Sequence, residues 1–205
     1  MKFAFPSPLY CITDESLSRG RDNISVIRMM LSAGVKIIQY REKNKSMRDK
    51  YTECVLIRRL TADAKALFIV NDDIHLALAV HADGVHIGQH DMPCDVVRGL
   101  VTDMILGLSI ETAAQLNDPA ASSADYFGVG PVFSTATKPD AAAPLGLEGL
   151  TGIVRMTDKP VVAIGGIKES NMTDILKTGA HCAAVISDIV GADDIPAKIK
   201  RLLTR

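Results

Sequence analysis

Gln39, Arg41 and Lys43 alternate with Tyr40 and Glu42 at the end of an apolar run, so a strand continuing through them aims all three to one side, with Ile37 deeper on that side. Two cations and an amide in that position suit the oxygens of a phosphate or pyrophosphate, Arg supplying a planar fork and Lys a compact charge. A surface ion-pair patch is the competing reading. Asn71, Asp72 and Asp73 directly follow Leu67-Phe68-Ile69-Val70, and Asp91 follows the next apolar run. Carboxylates of neighbouring units can therefore meet, and hard oxygen ligands beside phosphate suggest Mg²⁺. Asp73 is also placed to cap a helix starting near Ile74, and Asp72 could serve either as a cap or as a metal ligand.

A second group of candidates lies further along the chain. Gly165-Gly166 ends an apolar run and precedes a helix, and Ser187-Asp188 ends the last one. Glycines let backbone N–H groups approach an anion, although a Gly-Gly pair is most often only a turn. The segment Gly130 to Lys138 combines the hydroxyls of Ser134, Thr135 and Thr137 with one cation on a Pro-bounded backbone. It could fold over a phosphate or be a plain solvated connection. His75, His81, His86 and His90 cluster without the spacing of a helical ligand pair; alternation with Val85 and Ile87 predicts that His86 faces the helices, with His90 at the mouth near Asp91. Cys11, Cys54, Cys94 and Cys182 show no paired metal-ligand spacing and read as reduced and structural. The methionines read as core filler.

The elements that must gather these residues are legible as an alternation of short apolar runs with longer segments of three-to-four periodicity. Strands are predicted over Leu9 to Thr13, Val35 to Arg41, Leu67 to Asn71, Gly84 to Ile87, Met104 to Ser109, Tyr126 to Val129, Val161 to Ile164 and Ala183 to Ile186. Helices are predicted over Ile24 to Ala33, Met47 to Asp63, Ile74 to Val80, Cys94 to Gly99, Thr112 to Ser122, Leu147 to Met156, Glu169 to Thr178 and Asp194 to Leu203. Strands apolar at nearly every position fit parallel pairing covered on both faces, which needs crossover helices. Eight such units predict an α/β fold, a compact (β/α)8 TIM barrel; a doubly wound open sheet is the competitor. Several strands deliver polar residues or glycine at their carboxyl ends, the face on which barrel enzymes build their sites.

The 205 residues carry 47% hydrophobic and 23% charged residues, an ordinary globular balance that fits a single domain spanning the chain. The formal net charge of -1 gives no bulk basic field for nucleic acid or an anionic membrane, so any anion binding is local. Apolar stretches fall far short of the roughly 20 residues needed to cross a bilayer, and Met1 to Pro8 lacks a signal-peptide layout. The expectation is a cytoplasmic protein with no membrane or nucleic-acid partner; its oligomeric state, a homo-oligomer included, stays open.

The segments Gln39-Tyr40-Arg41-Glu42-Lys43, Val70-Asn71-Asp72-Asp73, Ala82 to Asp91 and Gly128 to Lys138 resemble those of the thiamine phosphate synthase family. Ala163-Ile164-Gly165-Gly166-Ile167 and Val185-Ile186-Ser187 extend the resemblance over nearly the whole chain from residue 9 onward. The resemblance implies a (β/α)8 transferase that joins 4-amino-5-hydroxymethyl-2-methylpyrimidine pyrophosphate to a thiazole phosphate, releasing pyrophosphate with Mg²⁺. It also implies roles. Gln39, Arg41, Lys43 and Asn71 would contact the pyrimidine pyrophosphate, with Ser109 and Lys138 completing that side, and Asp72 and Asp91 would hold the metal. Thr135, Thr137, Gly166, Ile186 and Ser187 would form the thiazole-phosphate side. Because departure of pyrophosphate needs charge neutralisation more than a protein nucleophile, Arg41, Lys43 and Lys138 are the residues expected to carry catalysis.

The related thiazole tautomerase branch lacks the second metal aspartate and the Thr-x-Thr-Lys loop, both present here. That branch uses a histidine two residues beyond the serine ending strand five, where this chain has Glu111. Many synthases carry histidine there too, so neither Glu111 nor the loop Ala141-Ala142-Ala143 receives a role. Two further readings remain at this level: a non-catalytic sensor of phosphate ligands, and an isomerase using Asp72 or His90 as acid or base.

Overall fold

The computed structural model describes residues 3–135, 137 and 142–204. The apolar runs form β1 Leu9–Ile12, β2 Ile37–Tyr40, β3 Leu67–Asn71, β4 Gly84–Ile87, β5 Ile105–Ile110, β6 Tyr126–Val129, β7 Val161–Ile164 and β8 Cys182–Val185. All pair in parallel with their neighbours in sequence, and β8 closes on β1 through Leu9 opposite Ala183 and Cys11 opposite Val185. The open sheet is thereby excluded. Strands this short must be buried on both faces, which is why alternation does not mark them: Leu9, Cys11, Ile38, Val85 and Ile87 pack outward against helices, while Tyr10, Ile12, Ile37, Ile69 and Tyr126 fill the interior.

The helices are α1 Asn23–Ser32, α2 Met47–Asp63, α3 Ile74–Ala79, α4 Cys94–Leu100, α5 Gly146–Arg155, α6 Met172–Lys177, α7 Ser187–Val190 and α8 Ile195–Leu203. Side-chain caps fix several starts: Asp22 accepts from the Ser25 N–H at 2.7 Å, Ser46 from Asp49 at 3.2 Å and Asp194 from Ala197 at 2.9 Å. None of the described helices is long and apolar enough to cross a membrane.

Two expectations fail here. The helix expected over Thr112 to Ser122 is instead two 3-10 turns, Ala113–Asn117 and Pro119–Ser123. Pro119 has no N–H and its ring obstructs the preceding turn, while the Asp118 carboxylate accepts from Ala120 N at 2.9 Å and restarts the chain. The helix expected from Glu169 begins only at Met172, because Asn171 turns back, its Oδ1 accepting from Lys168 N at 2.8 Å.

Candidate functional site at the carboxyl ends of the strands

A cavity of about 490 Å³ opens at the carboxyl ends of the strands. It is lined by Gln39, Arg41, Lys43, Asn71, Asp72, Asp91, Ser109, Thr135, Thr137, Gly166, Ile186 and Ser187, so every described residue singled out for a role from the sequence meets in one space. Lys138 lies outside the described residues. In a closed ring of eight strands, those four places apart face each other. Asn71 and Asp72 after β3 therefore stand across from Gly165 and Gly166 after β7, and Asp91 after β4 stands across from Ser187 after β8.

The cationic side is organised by ion pairs. Arg41 Nη1 lies 2.8 Å from Asp14 Oδ2, with both side chains largely buried, and its backbone N–H donates to Thr13 Oγ1 at 3.0 Å. Lys43 Nζ reaches Asp72 Oδ2 at 2.5 Å. These are ion pairs as the competing reading supposed, but they sit within the cavity mouth rather than on an outer surface. Asp72 holds φ +59, a left-handed conformation that aspartate tolerates better than most residues. Its N–H donates to His86 O at 2.9 Å, which ties the end of β3 to β4.

Asp73 occupies the cap position of α3 without a side-chain capping bond; its carboxylate is taken by Lys50 Nζ at 2.9 Å. Capping by Asp73 is thus corrected, because an ammonium in reach outcompetes a backbone N–H. Asp91 accepts from Gly88 N at 2.6 Å and lies close enough to Asp72 for the two carboxyls to act on each other. Burial pushes the Asp91 carboxyl above its ordinary value and the Asp72 carboxylate adds to this, while the Gly88 N–H and Lys43 oppose it. Two hard oxygen donors crowded together against their own repulsion are a pair that a Mg²⁺ would suit.

The opposite side is built from backbone. Val132 N donates to Ile164 O at 2.8 Å and Phe133 N to Gly165 O at 3.0 Å, so the loop after β6 stays paired with the end of β7. Gly166 sits at φ +65 beneath Phe133 and Ser134. Asn171 Nδ2 donates to Gly166 O at 3.1 Å. Asp188 Oδ2 accepts from Glu169 N at 2.9 Å and joins the β7 and β8 loops. Ser187 opens α7, a short helix that the sequence reading did not separate from the last strand. Thr135 Oγ1 accepts from Thr137 N at 3.2 Å.

The floor of the cavity was missed. His86 does not face the helices: its Nδ1 is 2.9 Å from Tyr126 Oη and its Nε2 is 3.0 Å from Ser109 Oγ, inside the barrel. Val85 and Ile87 take the outer positions, so His86 shares its parity with Gly84 and Gly88. The space for the ring comes from other strands, since a Cβ at Gly107 would stand 2.3 Å from His86 Nδ1 and one at Gly128 2.9 Å from its Cε1, and that neighbourhood is not visible in the segment around His86. Burial pushes the His86 imidazole down to about 4, with the Asp72 carboxylate pulling weakly the other way. Tyr10 and Tyr126 complete the floor with Gln39, whose Nε2 donates to Tyr10 Oη at 2.9 Å. Glu111 also lines the cavity, and its backbone N–H donates to Gln115 Oε1 at 2.6 Å.

Comparison with known proteins agrees with this arrangement. A thiamine-phosphate synthase of Pelotomaculum thermopropionicum is 51% identical over 195 residues, covering 95% of this chain and 89% of the relative. One of Caldicellulosiruptor saccharolyticus is 48% identical over 195 residues, covering 95% and 88%. The solved thiamine phosphate pyrophosphorylase of Pyrococcus furiosus superposes with a TM-score of 0.88 at 40% identity, covering 95% of this chain and 92% of that one. Residues 9–189 match the family described as thiamine monophosphate synthase, a match spanning all eight strands and both sides of the cavity. On that evidence the chain belongs to the thiamine monophosphate synthase family.

Proposed function

We propose that this protein joins 4-amino-5-hydroxymethyl-2-methylpyrimidine pyrophosphate to a thiazole phosphate by a dissociative substitution that releases pyrophosphate. The observation that carries the reading is the one cavity lined both by Arg41, Lys43, Asp72 and Asp91 and by Gly166, Ile186 and Ser187. One cavity with two anion-suited sides matches two phosphorylated substrates that must meet. Gln39, Asn71 and Ser109 hold the pyrimidine side, and Thr135, Thr137, Gly166, Ile186 and Ser187 the thiazole phosphate.

The pyrimidine amino group releases electrons toward the methylene carbon, so loss of pyrophosphate leaves a stabilised cation that the thiazole nitrogen captures. Arg41 and Lys43 gather the charge building on the leaving oxygens, and Lys138 shares that role by its motif. Asp72 and Asp91 would hold Mg²⁺, which supplies further neutralisation of the pyrophosphate when bound. His86, kept neutral by burial, places no positive charge against the pyrimidine cation. Purified protein given both substrates and Mg²⁺ should form thiamine phosphate, read as thiochrome fluorescence after oxidation. Absence of product with both substrates at saturation overturns the proposal.

A further inference from the structure

A continuous line of hydrogen bonds crosses the cavity floor. Gln39 Nε2 meets Tyr10 Oη at 2.9 Å, and Tyr10 Oη meets Tyr126 Oη at 3.0 Å. Tyr126 Oη lies 2.9 Å from His86 Nδ1, and His86 Nε2 lies 3.0 Å from Ser109 Oγ. The proton count along this line is restrictive. An amide NH₂ can only donate, and each phenol has a single proton. Among the described residues Tyr126 Oη is the acceptor within reach of the Tyr10 proton, so the arrangement that leaves no buried phenol proton unpaired has Tyr10 donating to Tyr126 and Tyr126 donating to His86 Nδ1. An imidazole accepting at Nδ1 carries its proton at Nε2 and donates it to Ser109 Oγ. The serine proton is then left to point into the cavity.

The tyrosine end of the line is dry and its geometry is built in. Tyr10 and Tyr126 are each 1% exposed. From below, the Phe5 ring stands edge-on to both, with centroids 6.1 Å from Tyr10 and 5.1 Å from Tyr126. Water therefore cannot substitute for a missing donor between the two tyrosines, and each link polarises the next. On the intervening strand a Cβ at Gly107 would stand 2.2 Å from Tyr126 Cζ and 2.3 Å from His86 Nδ1, so the Tyr126–His86 contact requires that residue to have no side chain.

We infer that Tyr126, its acceptor side filled by Tyr10, is a positioning residue that fixes the His86 proton on Nε2 and so makes Ser109 a hydrogen-bond donor toward the bound ring. Given the proposed reaction, on which this consequence rests, the floor selects a ring with a lone-pair nitrogen at Ser109 over an isostere carrying C–H there. The polarity itself can be read without any substrate. In protein labelled with ¹⁵N-histidine, long-range ¹H–¹⁵N spectra, assigned with the His86→Gln variant, should show His86 protonated on Nε2 alone. Tyr126→Phe, which keeps the ring and the fold, should admit the Nδ1-protonated form, whereas Tyr10→Phe leaves His86 Nδ1 as the acceptor for the Tyr126 proton and should keep the Nε2 form. Tyr126→Phe should also lower kcat/KM for the pyrimidine substrate about ten-fold, the worth of one buried hydrogen bond, without moving the KM of the thiazole phosphate. A proton on Nδ1 in the wild-type protein, or an unchanged tautomer in Tyr126→Phe, overturns the inference. An Nε2 proton in a protein that makes no thiamine phosphate supports the relay and removes only the reaction.

Discussion

Gly166→Ala tests whether the anion-suited side of the cavity is held by packing of backbone against backbone. The residue has φ +65, and a Cβ there would stand 2.7 Å from both Phe133 Cβ and Ser134 O. The left-handed conformation costs an alanine about 1–2 kcal/mol. Both contacts fall well inside the roughly 3.5–4.0 Å of ordinary carbon contact. Neither partner is the free end of a flexible side chain, so relief means moving the loop, at about 1–3 kcal/mol. The stiffer unfolded chain returns about 0.4–1 kcal/mol. The expected net loss is about 3 kcal/mol, which at a urea m-value of about 2–3 kcal/mol/M lowers the midpoint by roughly 1 M. Because the displaced turn carries the carbonyl that Asn171 Nδ2 holds at 3.1 Å, the KM for thiazole phosphate should rise at least ten-fold while that of the pyrimidine substrate stays put. A variant within about 0.5 kcal/mol of the parent, with both KM values unchanged, would refute the reasoning.

Removing one of the paired carboxylates should separate metal binding from folding. Asp91→Asn is expected to lower turnover on the order of a hundred-fold at fixed Mg²⁺ and to raise the Mg²⁺ concentration required. It should not lower stability in chelator, since the lost charge was desolvated beside Asp72. Calorimetric Mg²⁺ titration and unfolding in EDTA check the two halves. His86 gives a pH dependence with a definite sign. Its folded pKa is depressed to about 4 from the model-peptide value of 6.5, so the neutral form contributes stability above about 6.5 that is lost as the pH falls toward about 4. The whole contribution is at most about 3 kcal/mol. His86→Gln should flatten the acid limb of a plot of stability against pH, and an equally steep limb in the variant would contradict the assignment.

The strands were readable because each is a short apolar run bounded by polar residues. Leu67–Asn71, Gly84–Ile87, Tyr126–Val129 and Val161–Ile164 have the bounds expected from sequence, as does the helix Met47–Asp63. Their succession called for crossover connections, and the pairing of β8 with β1 then closed the ring. The failures share a cause: the decisive partner was distant or irregular. Pro119 broke a periodicity that otherwise read as helix. Asp73 lost its capping role to Lys50, far away in sequence. His86 was assigned to the outer face on alternation alone, which cannot tell inside from outside when both faces of a strand are apolar.

By itself the sequence determined which residues could do chemistry and that they lie at strand ends, because residue type and period are local properties of a chain. Tertiary structure alone decided which of them share a space. Pairing of β3 with β4 sets Asp72 and Asp91 side by side, and closure of β8 on β1 brings Gly166 across from Asp72 in the same cavity. The same closure turns Tyr10 and Tyr126, unremarked in their own segments, and His86, expected on the outer face, into one hydrogen-bonded line. The physical reason is that charge repulsion, desolvation and donor–acceptor polarity depend on distances across the barrel, and those are fixed only when the ring is complete.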